Sequence, residues 1–111
     1  VNRSEAIRDL IRDKLVSEDI ANPDADSIGT LTLVYSHDVH ELSEKLNDIQ
    51  HHYHKIIISA THIHLDEHNC LEVLILRGKA RDVHTIADKL LAIKNVRHGK
   101  LTVTSAGKNL R

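Results

Sequence analysis

The order of hydrophobic periodicities along residues 30–104 is the feature that most constrains the fold. Stretches with the two-residue alternation of a β-strand and stretches with the 3.6-residue repeat of an amphipathic helix follow one another in the order βαββαβ. This is the split βαβ, or ferredoxin-like, order, an α+β fold in which two helices cover one face of an antiparallel sheet. The sequence predicts helices at residues 39–53 and 80–93 and strands at 30–35, 56–65, 69–76 and 96–104.

The second and third predicted strands are apolar on both faces. In residues 56–65 both the odd and the even positions carry isoleucine, and in residues 69–76 Leu71, Val73 and Ile75 alternate with Leu74 and Leu76. One layer of helices covers only one face of such a sheet, so we expect a partner subunit to pack on the other face. The alternative is that the linker or the first helix folds back over it. The chain contains no Phe, Met or Trp, so aliphatic side chains must fill the core.

An amphipathic helix precedes this domain. Asn2 can cap its start, Glu5 can reach back as in a capping box, and one apolar stripe follows, made of Ala6, Ile7, Leu10, Ile11 and Leu15. So short a helix is marginal in water, and its stripe therefore needs a partner. We divide the chain into a helix at residues 1–16, a linker at 17–29, a domain at 30–105 and a tail at 106–111.

Composition limits the class of function. The 111 residues include 15 basic and 16 acidic side chains and carry a formal net charge of −1, which argues against a protein that coats nucleic acid by charge alone. No apolar run approaches the roughly 20 residues that span a bilayer, and we expect no membrane partner. Ten histidines accompany one cysteine, Cys70, which cannot form an internal disulfide. We therefore expect a reducing, cytoplasmic location and a metal-binding role for the thiolate.

His62, His64 and Cys70 form the strongest candidate site. The two histidines are two residues apart on one strand, so they point to the same face, and Cys70 lies on the next strand. If residues 66–68 form the connection, His64 lies opposite Cys70 and His62 opposite Glu72, whereas a connection of even length would put Cys70 on the other face. Two imidazoles and a thiolate suit nickel, copper or zinc and disfavour magnesium or calcium. Glu72 is then either an acceptor that orients His62 or an ordinary polar residue.

A fourth ligand has to come from elsewhere, and the nearest histidines follow the first long helix. Eight strand residues span about 26 Å, so His51 cannot reach the site of its own chain. It could reach the site of a neighbour related by a two-fold axis, with the even-numbered face as the contact. Spacing alone does not choose between His51 and His52. Four other histidines are interpreted as surface or structural residues: His37, His40, His84 and His98. Secondary metal sites are left open at His37, His40, His52, His54 and His68.

Two stretches of the chain resemble the nickel-responsive repressors of the NikR family. Their C-terminal domain is similar to QHHYHKIIISATHIHLDEHNCLEVLILRG followed by VRHGKL, and the second helix of their ribbon-helix-helix DNA-binding domain is similar to NRSEAIRDLIRDKL. The resemblance implies an ACT-like domain at the core of a homotetramer, a dimer of dimers, with one square-planar Ni²⁺ per subunit. Its three imidazoles and one thiolate would be His62, His64 and Cys70 of one chain and His51 of another.

Further roles follow only from this resemblance. It implies that Tyr35 and Glu72 belong to the hydrogen bonds around the ligands, and that Glu5 and Asp9 lie near an auxiliary cation site. The ribbon strand and the first helix that precede this helix in the family are not in the sequence. We therefore expect the opening helix to contact at most DNA phosphates, through Asn2, Arg3, Ser4 and Arg8. Basic residues that can touch DNA phosphates in relatives are replaced by Asp38, Val39 and His40.

The resemblance implies a transcriptional repressor of nickel uptake and not an enzyme. In that interpretation Ni²⁺ is a co-repressor that enables binding to operator DNA. One alternative is a metal chaperone or storage module without a DNA role. Another is an ACT-type regulatory domain for small molecules whose histidines are incidental. The opening helix favours the repressor, because a chaperone has no use for it.

Overall fold

The computed structural model describes residues 2–107, without the side chain of Ile20. Its elements are α1 (Arg3–Ile20), β1 (Asp26–Ser36), α2 (His40–His52), β2 (Ile57–His64), β3 (Asn69–Lys79), α3 (Ala80–Leu91) and β4 (Val96–Ser105). The strands form one antiparallel sheet in the order β2-β3-β1-β4. The βαββαβ order from β1 onward confirms the predicted α+β, ferredoxin-like and ACT-like fold. Residues 108–111 of the predicted tail lie outside the described residues.

The core lies between one face of the sheet and the helices α2 and α3. On β1, the buried side chains Leu31, Leu33 and Tyr35 alternate with partly exposed ones. Each fully buried leucine contributes about 1.5–3 kcal/mol relative to an exposed one. Tyr35 is joined in this core by small and aliphatic side chains from β3, α2 and α3, as the composition predicts: Cys70, Leu74, Leu76, Leu42, Leu46, Val83, Ile86, Ala87 and Leu90.

Helix α3 packs close to the sheet at two glycines. A Cβ at Gly29 would lie 2.7 Å from Cγ1 of Val83, and one at Gly99 would lie 2.3 Å from Cδ2 of Leu91. Real side chains do not approach so closely, so a larger residue at either position would require the Val83 or Leu91 side chain, or the helix that carries it, to shift. The two glycines therefore allow the short distance between α3 and the strands.

Helices α2 and α3 leave the opposite face of the sheet uncovered in the described part of the chain. Val34, Leu71, Val73 and Ile75 lie there, each partly exposed, and Ile63 is 44% exposed. The sequence predicted that a neighbouring subunit packs on the even-numbered face. For β3 this was wrong, because the helices cover its even-numbered side chains. On β2 the even side chains from residue 58 onward are exposed. Periodicity does not reveal which of two apolar faces the helices cover.

Strand β2 departs from the predicted alternation near its start. Its register with β3 shifts between Ile57 and Ser59, and the intervening Ile58 is 58% exposed. Ile57 therefore lies on the helix-covered face, only 8% exposed, whereas Ser59 lies opposite Ile75 on the open face. The sequence placed Ile57 and Ser59 on one face, but a bulge adds one unpaired residue and so reverses the parity.

The connection between α1 and β1 is shorter than the predicted linker at residues 17–29. Helix α1 continues to Ile20 and β1 begins at Asp26, four residues before the predicted start. Asp26 pairs with Lys79, so the antiparallel pairing of β1 with β3 continues to the first residue of β1 and the last residue of β3. The turn residues Asn22, Pro23 and Asp24 indicated a linker for the whole stretch, but strand pairing at long sequence distance decides the structure of its last residues.

Helix α1 is the most exposed element. Asn2 Oδ1 accepts a hydrogen bond of 2.9 Å from the Glu5 backbone N–H, which confirms the predicted cap. The larger apolar side chains of its stripe are 46–69% exposed, so the described residues do not supply the partner that the stripe needs: Ile7, Leu10, Ile11 and Leu15. Among residues 2–107, no helix combines the length and the apolar character needed to cross a lipid bilayer.

Candidate metal centre

The hairpin between β2 and β3 brings the predicted ligands to one face. His64 pairs with Cys70 and His62 with Glu72, and the Leu65 backbone N–H donates to the Asn69 carbonyl at 2.9 Å. Residues 66–68 therefore form a three-residue connection. The prediction that His62, His64 and Cys70 share one face required a connection of odd length, and this one meets that condition. Asp66 stabilises this turn, because its Oδ1 accepts from the backbone N–H groups of His68 and Asn69, both at 2.8 Å. These hydrogen bonds lower the pKa of Asp66.

Cys70 is fully buried at the centre of the site. Its Sγ lies 3.4 Å from Nδ1 of His37 and 3.6 Å from Nδ1 of His64. Burial raises the pKa of the thiol, and the nearby carboxylates of Asp66 and Glu72 raise it further. These effects favour the protonated thiol in the metal-free protein, and a bound cation would favour the thiolate.

His37 was interpreted from the sequence as a surface or structural residue, and the structure places it in the cluster. Its backbone N–H donates to the His68 carbonyl at 3.0 Å, which holds the segment after β1 against the hairpin turn. Its ring meets that of His64 edge to face at 5.5 Å. His37 is two residues after Tyr35, so the two side chains share a face, and Tyr35 lies opposite Cys70 in the sheet. The sequence could have placed His37 near Cys70 only if the pairing of β1 with β3 had been known, and local patterns do not predict that pairing.

The donor atoms of His37, His64 and Cys70 fit a single metal ion. All three lie within 4.8 Å of one another. Metal bonds of about 2.0 Å to nitrogen and 2.3 Å to sulfur put adjacent donors about 3.1–3.5 Å apart for angles of 90–109°. The observed separations of 3.4 and 3.6 Å from Sγ agree with this spacing. The thiol and imidazoles suit a soft or borderline transition metal.

His62 lies beside this cluster. Its ring centroid is 5.0 Å from that of His64, and its Nδ1 is 3.1 Å from the Tyr35 hydroxyl. Burial, with the charges of Glu72 and Cys70, raises the pKa of Tyr35 to about 12, so this hydroxyl keeps its proton. Because Nδ1 is engaged with Tyr35, Nε2 is the ring nitrogen left for a metal. Its ligation stays a prediction.

His51 lies outside the cluster around Cys70. It is exposed near the end of α2, where its carbonyl accepts a 3.2 Å hydrogen bond from Nδ1 of His54. His52 packs edge to face on Tyr53 at 4.6 Å. The predicted ligation of His51 in a neighbouring subunit stays a prediction.

The other predicted site residues are Glu72, on β3, and a set of residues at the start of α1. Glu72 is 6% exposed and accepts a hydrogen bond of 3.0 Å from Gln50 Nε2, a residue that the sequence did not single out. The candidates for the auxiliary cation site and for phosphate contact are exposed residues at the start of α1, and their roles stay predictions: Asn2, Arg3, Ser4, Glu5, Arg8 and Asp9.

The remaining histidines of the candidate secondary sites contact carboxylates. His40 Nε2 lies 3.2 Å from Glu44, and His68 Nδ1 lies 2.7 Å from Asp38. Both pairs are exposed, and exposed pairs of this kind contribute little to stability. They hold side chains at the surface and do not join the donor atoms around Cys70.

Comparison with known proteins gives the family. Residues 28–104 match the family described as the NikR C-terminal nickel-binding domain. Relatives from Geobacter sp. (strain M21) and Caldanaerobacter subterraneus, which carry the name nickel-responsive regulator, are 58% and 53% identical over 109 residues. The alignment covers 98% of this chain in both cases, with 78% and 71% of the relatives.

One solved structure shows the same fold. It is an uncharacterized protein from Thermotoga maritima, with a TM-score of 0.57 at 15% identity, covering 70% of this chain and 94% of the other. The domain match and the extent of the sequence identity carry the family assignment. The chain belongs to the NikR family of nickel-responsive regulators, and residues 28–104 are its C-terminal nickel-binding domain.

Proposed function

We propose that the chain is the nickel-sensing and assembly part of a cytoplasmic transcriptional repressor of nickel uptake. One observation carries the proposal: buried Cys70 has the imidazole nitrogens of His37 and His64 around it, within the stretch that matches a nickel-binding domain. The names of the relatives support regulation by nickel. Operator DNA as the partner, and repression as the outcome, are part of the proposal.

In this proposal one Ni²⁺ per subunit is bound in a square plane by His62, His64 and Cys70, with His51 of a neighbouring subunit as fourth ligand. A bound Ni²⁺ supplies positive charge and a preference for planar nitrogen and sulfur donors. Cys70 would bind as the thiolate, with its proton released to the solvent. With Nε2 as the ligand, Nδ1 of His62 would carry the ring proton and donate it to the Tyr35 hydroxyl, a contact that orients the ring.

Assembly is part of the same proposal. The open sheet face around Leu71, Val73 and Ile75 is apolar and suits a homotetramer built as a dimer of dimers. A ligand contributed across subunits makes metal binding depend on how the subunits are arranged. Nickel therefore favours one arrangement over others, and that arrangement sets the positions of the α1 helices for docking on operator DNA.

The split ligand set is tested by mixing variants. A His51→Ala chain and a chain with both His62→Ala and His64→Ala are dissociated, mixed and reannealed, and nickel binding is followed by the thiolate-to-nickel charge-transfer absorbance. Neither parent should bind well, whereas each mixed interface regains one intact site. His52→Ala in place of His51→Ala is the control and should bind without complementation. Mixed oligomers that form but bind no nickel would refute the cross-subunit site.

DNA binding needs its own test. A chain that also includes the ribbon strand and first helix of the family should shift an operator fragment in a gel only when nickel is present. The shift should be lost in its Cys70→Ala variant. A shift that is equally strong with nickel and with a chelator would separate DNA binding from the metal and overturn the co-repressor role.

A metal chaperone or storage module is the second candidate, and one observation favours it. His37, His64 and Cys70 belong to one chain, so a single subunit has three donors for an ion without a neighbour. A monomeric variant distinguishes the two functions. Retention of full nickel affinity by the monomer favours storage, and a large loss favours the cross-subunit sensor.

A further inference from the structure

Glu72 is a buried carboxylate that accepts a hydrogen bond from a neutral side chain, the amide of Gln50. It lies in the sheet between Leu33 and His62 and is 6% exposed. The ion pairs of residues 2–107 do not include it. Its Oε1 accepts the hydrogen bond from Gln50 Nε2 at 3.0 Å. Because a buried carboxylate without a donor is strongly destabilised, Gln50 determines where this side chain is held.

Gln50 also lies next to His51 in the last turn of α2. The helix ends at His52, and the Tyr53 backbone N–H closes its last turn on the Ile49 carbonyl at 3.0 Å. Gln50 is half-buried against the sheet, whereas His51, one residue further around the helix, is exposed. The hydrogen bond to Glu72 therefore anchors the helical turn from which His51 projects.

We infer that Gln50 is a positioning residue that links the metal site of its own chain to the histidine that the same chain offers to a neighbour. The inference deepens the proposed function and rests on its cross-subunit site. On one side, Glu72 lies opposite His62 in the register of β3 with β2. On the other side, Gln50 fixes the end of α2 and so the position of His51. One hydrogen bond thus serves two metal sites, which couples them.

Gln50→Leu tests the positioning role, because leucine keeps most of the volume and removes the donor. Loss of an outer hydrogen-bond partner lowers metal affinity about 10–100-fold, and we expect nickel affinity to fall within that range. The control is Asn47→Leu, a polar-to-leucine change at an exposed position one turn earlier on α2. Nickel affinity equal to wild type in Gln50→Leu would overturn the inference.

A double variant separates positioning from stability. Replacement of both partners by apolar residues of similar shape removes the unsatisfied buried group, so Gln50→Leu/Glu72→Leu should recover the unfolding midpoint that Gln50→Leu loses. Nickel affinity should remain low, because the geometry around His62 and His51 is still unsupported. Recovery of nickel affinity together with the midpoint would mean that the pair only stabilises the fold.

Mixed oligomers show which site Gln50 serves. A His51→Ala chain and a Cys70→Ala chain together make one complete site per interface. Gln50→Leu is then added either to the chain that supplies Cys70 or to the chain that supplies His51, and both arrangements should bind nickel more weakly. A loss in one arrangement only, or in neither, overturns the coupling. Failure of the starting pair to bind nickel refutes the proposed cross-subunit site instead.

Discussion

Replacement of Cys70 by alanine distinguishes the contribution of the thiol to the stability of the fold from its contribution to metal binding. Sγ is fully buried, with His37 Nδ1 at 3.4 Å and His64 Nδ1 at 3.6 Å. Removal of one buried atom of this size costs about 1 kcal/mol. That cost lowers the Tm of a domain of this length by about 4–8 °C. Metal-free Cys70→Ala should therefore remain folded and melt slightly earlier than wild type.

Nickel should stabilise the wild-type protein and leave the stability of Cys70→Ala unchanged. A ligand present at 100 times its Kd stabilises the folded state by about 2.7 kcal/mol, or about 10–20 °C by the same conversion. Wild type should show this gain and Cys70→Ala should not, because it lacks the thiolate ligand. Scanning calorimetry at fixed protein concentration, with nickel and with a chelator, measures the difference. His84→Ala, which removes an exposed histidine of α3, is the control that should keep the gain. An equal gain in Cys70→Ala would exclude the thiolate as a ligand.

The same thiol gives the dependence on pH. Burial raises the pKa of Cys70 above its unfolded value, so the protonated thiol contributes stability below the ordinary thiol range, and this stability is lost as pH rises through the raised pKa. Nickel binding needs the thiolate, so its affinity should increase with pH and binding should release a proton. Titration calorimetry in buffers of different ionisation enthalpy counts that proton. A count that is unchanged in Cys70→Ala would contradict the assignment.

Three further changes test the site, the packing and the assembly. His37→Ala should weaken nickel binding by the oligomer less than His62→Ala does; equilibrium dialysis that gives the reverse order would make His37 the ligand. Gly99→Ala should cost about 1–3 kcal/mol in urea unfolding, because its Cβ would lie 2.9 Å from the backbone carbonyl oxygen of Thr32, whereas Gly78→Ala, with its nearest contact at 3.6 Å, should cost less. Val73→Lys should dissociate the oligomer and leave far-UV circular dichroism unchanged, and an unchanged sedimentation coefficient would place the interface elsewhere.

Much of the site could be predicted from local patterns. The alternation of β2 puts His62 and His64 on one face, and the three-residue connection puts Cys70 opposite His64, because side-chain direction depends on the count of consecutive residues. The element order βαββαβ follows from the same periodicities. The resemblance of the His-x-His and Cys string then indicated nickel, which the donor types alone do not distinguish from copper or zinc.

Contacts between distant segments were decided only by the tertiary structure. His37 reaches Cys70 because β1 pairs with β3, and Gln50 reaches Glu72 because α2 packs on the sheet. The extension of β1 back to Asp26 likewise comes from its pairing with the end of β3. Periodicity shows which side chains share a face along a regular element, and the bulge after Ile57 in β2 is an exception that it did not reveal. Which face is buried, and which residues of other elements meet there, depends on the packing of the whole domain, so the face pattern could be read from the sequence and the partners of Cys70 and Glu72 could not.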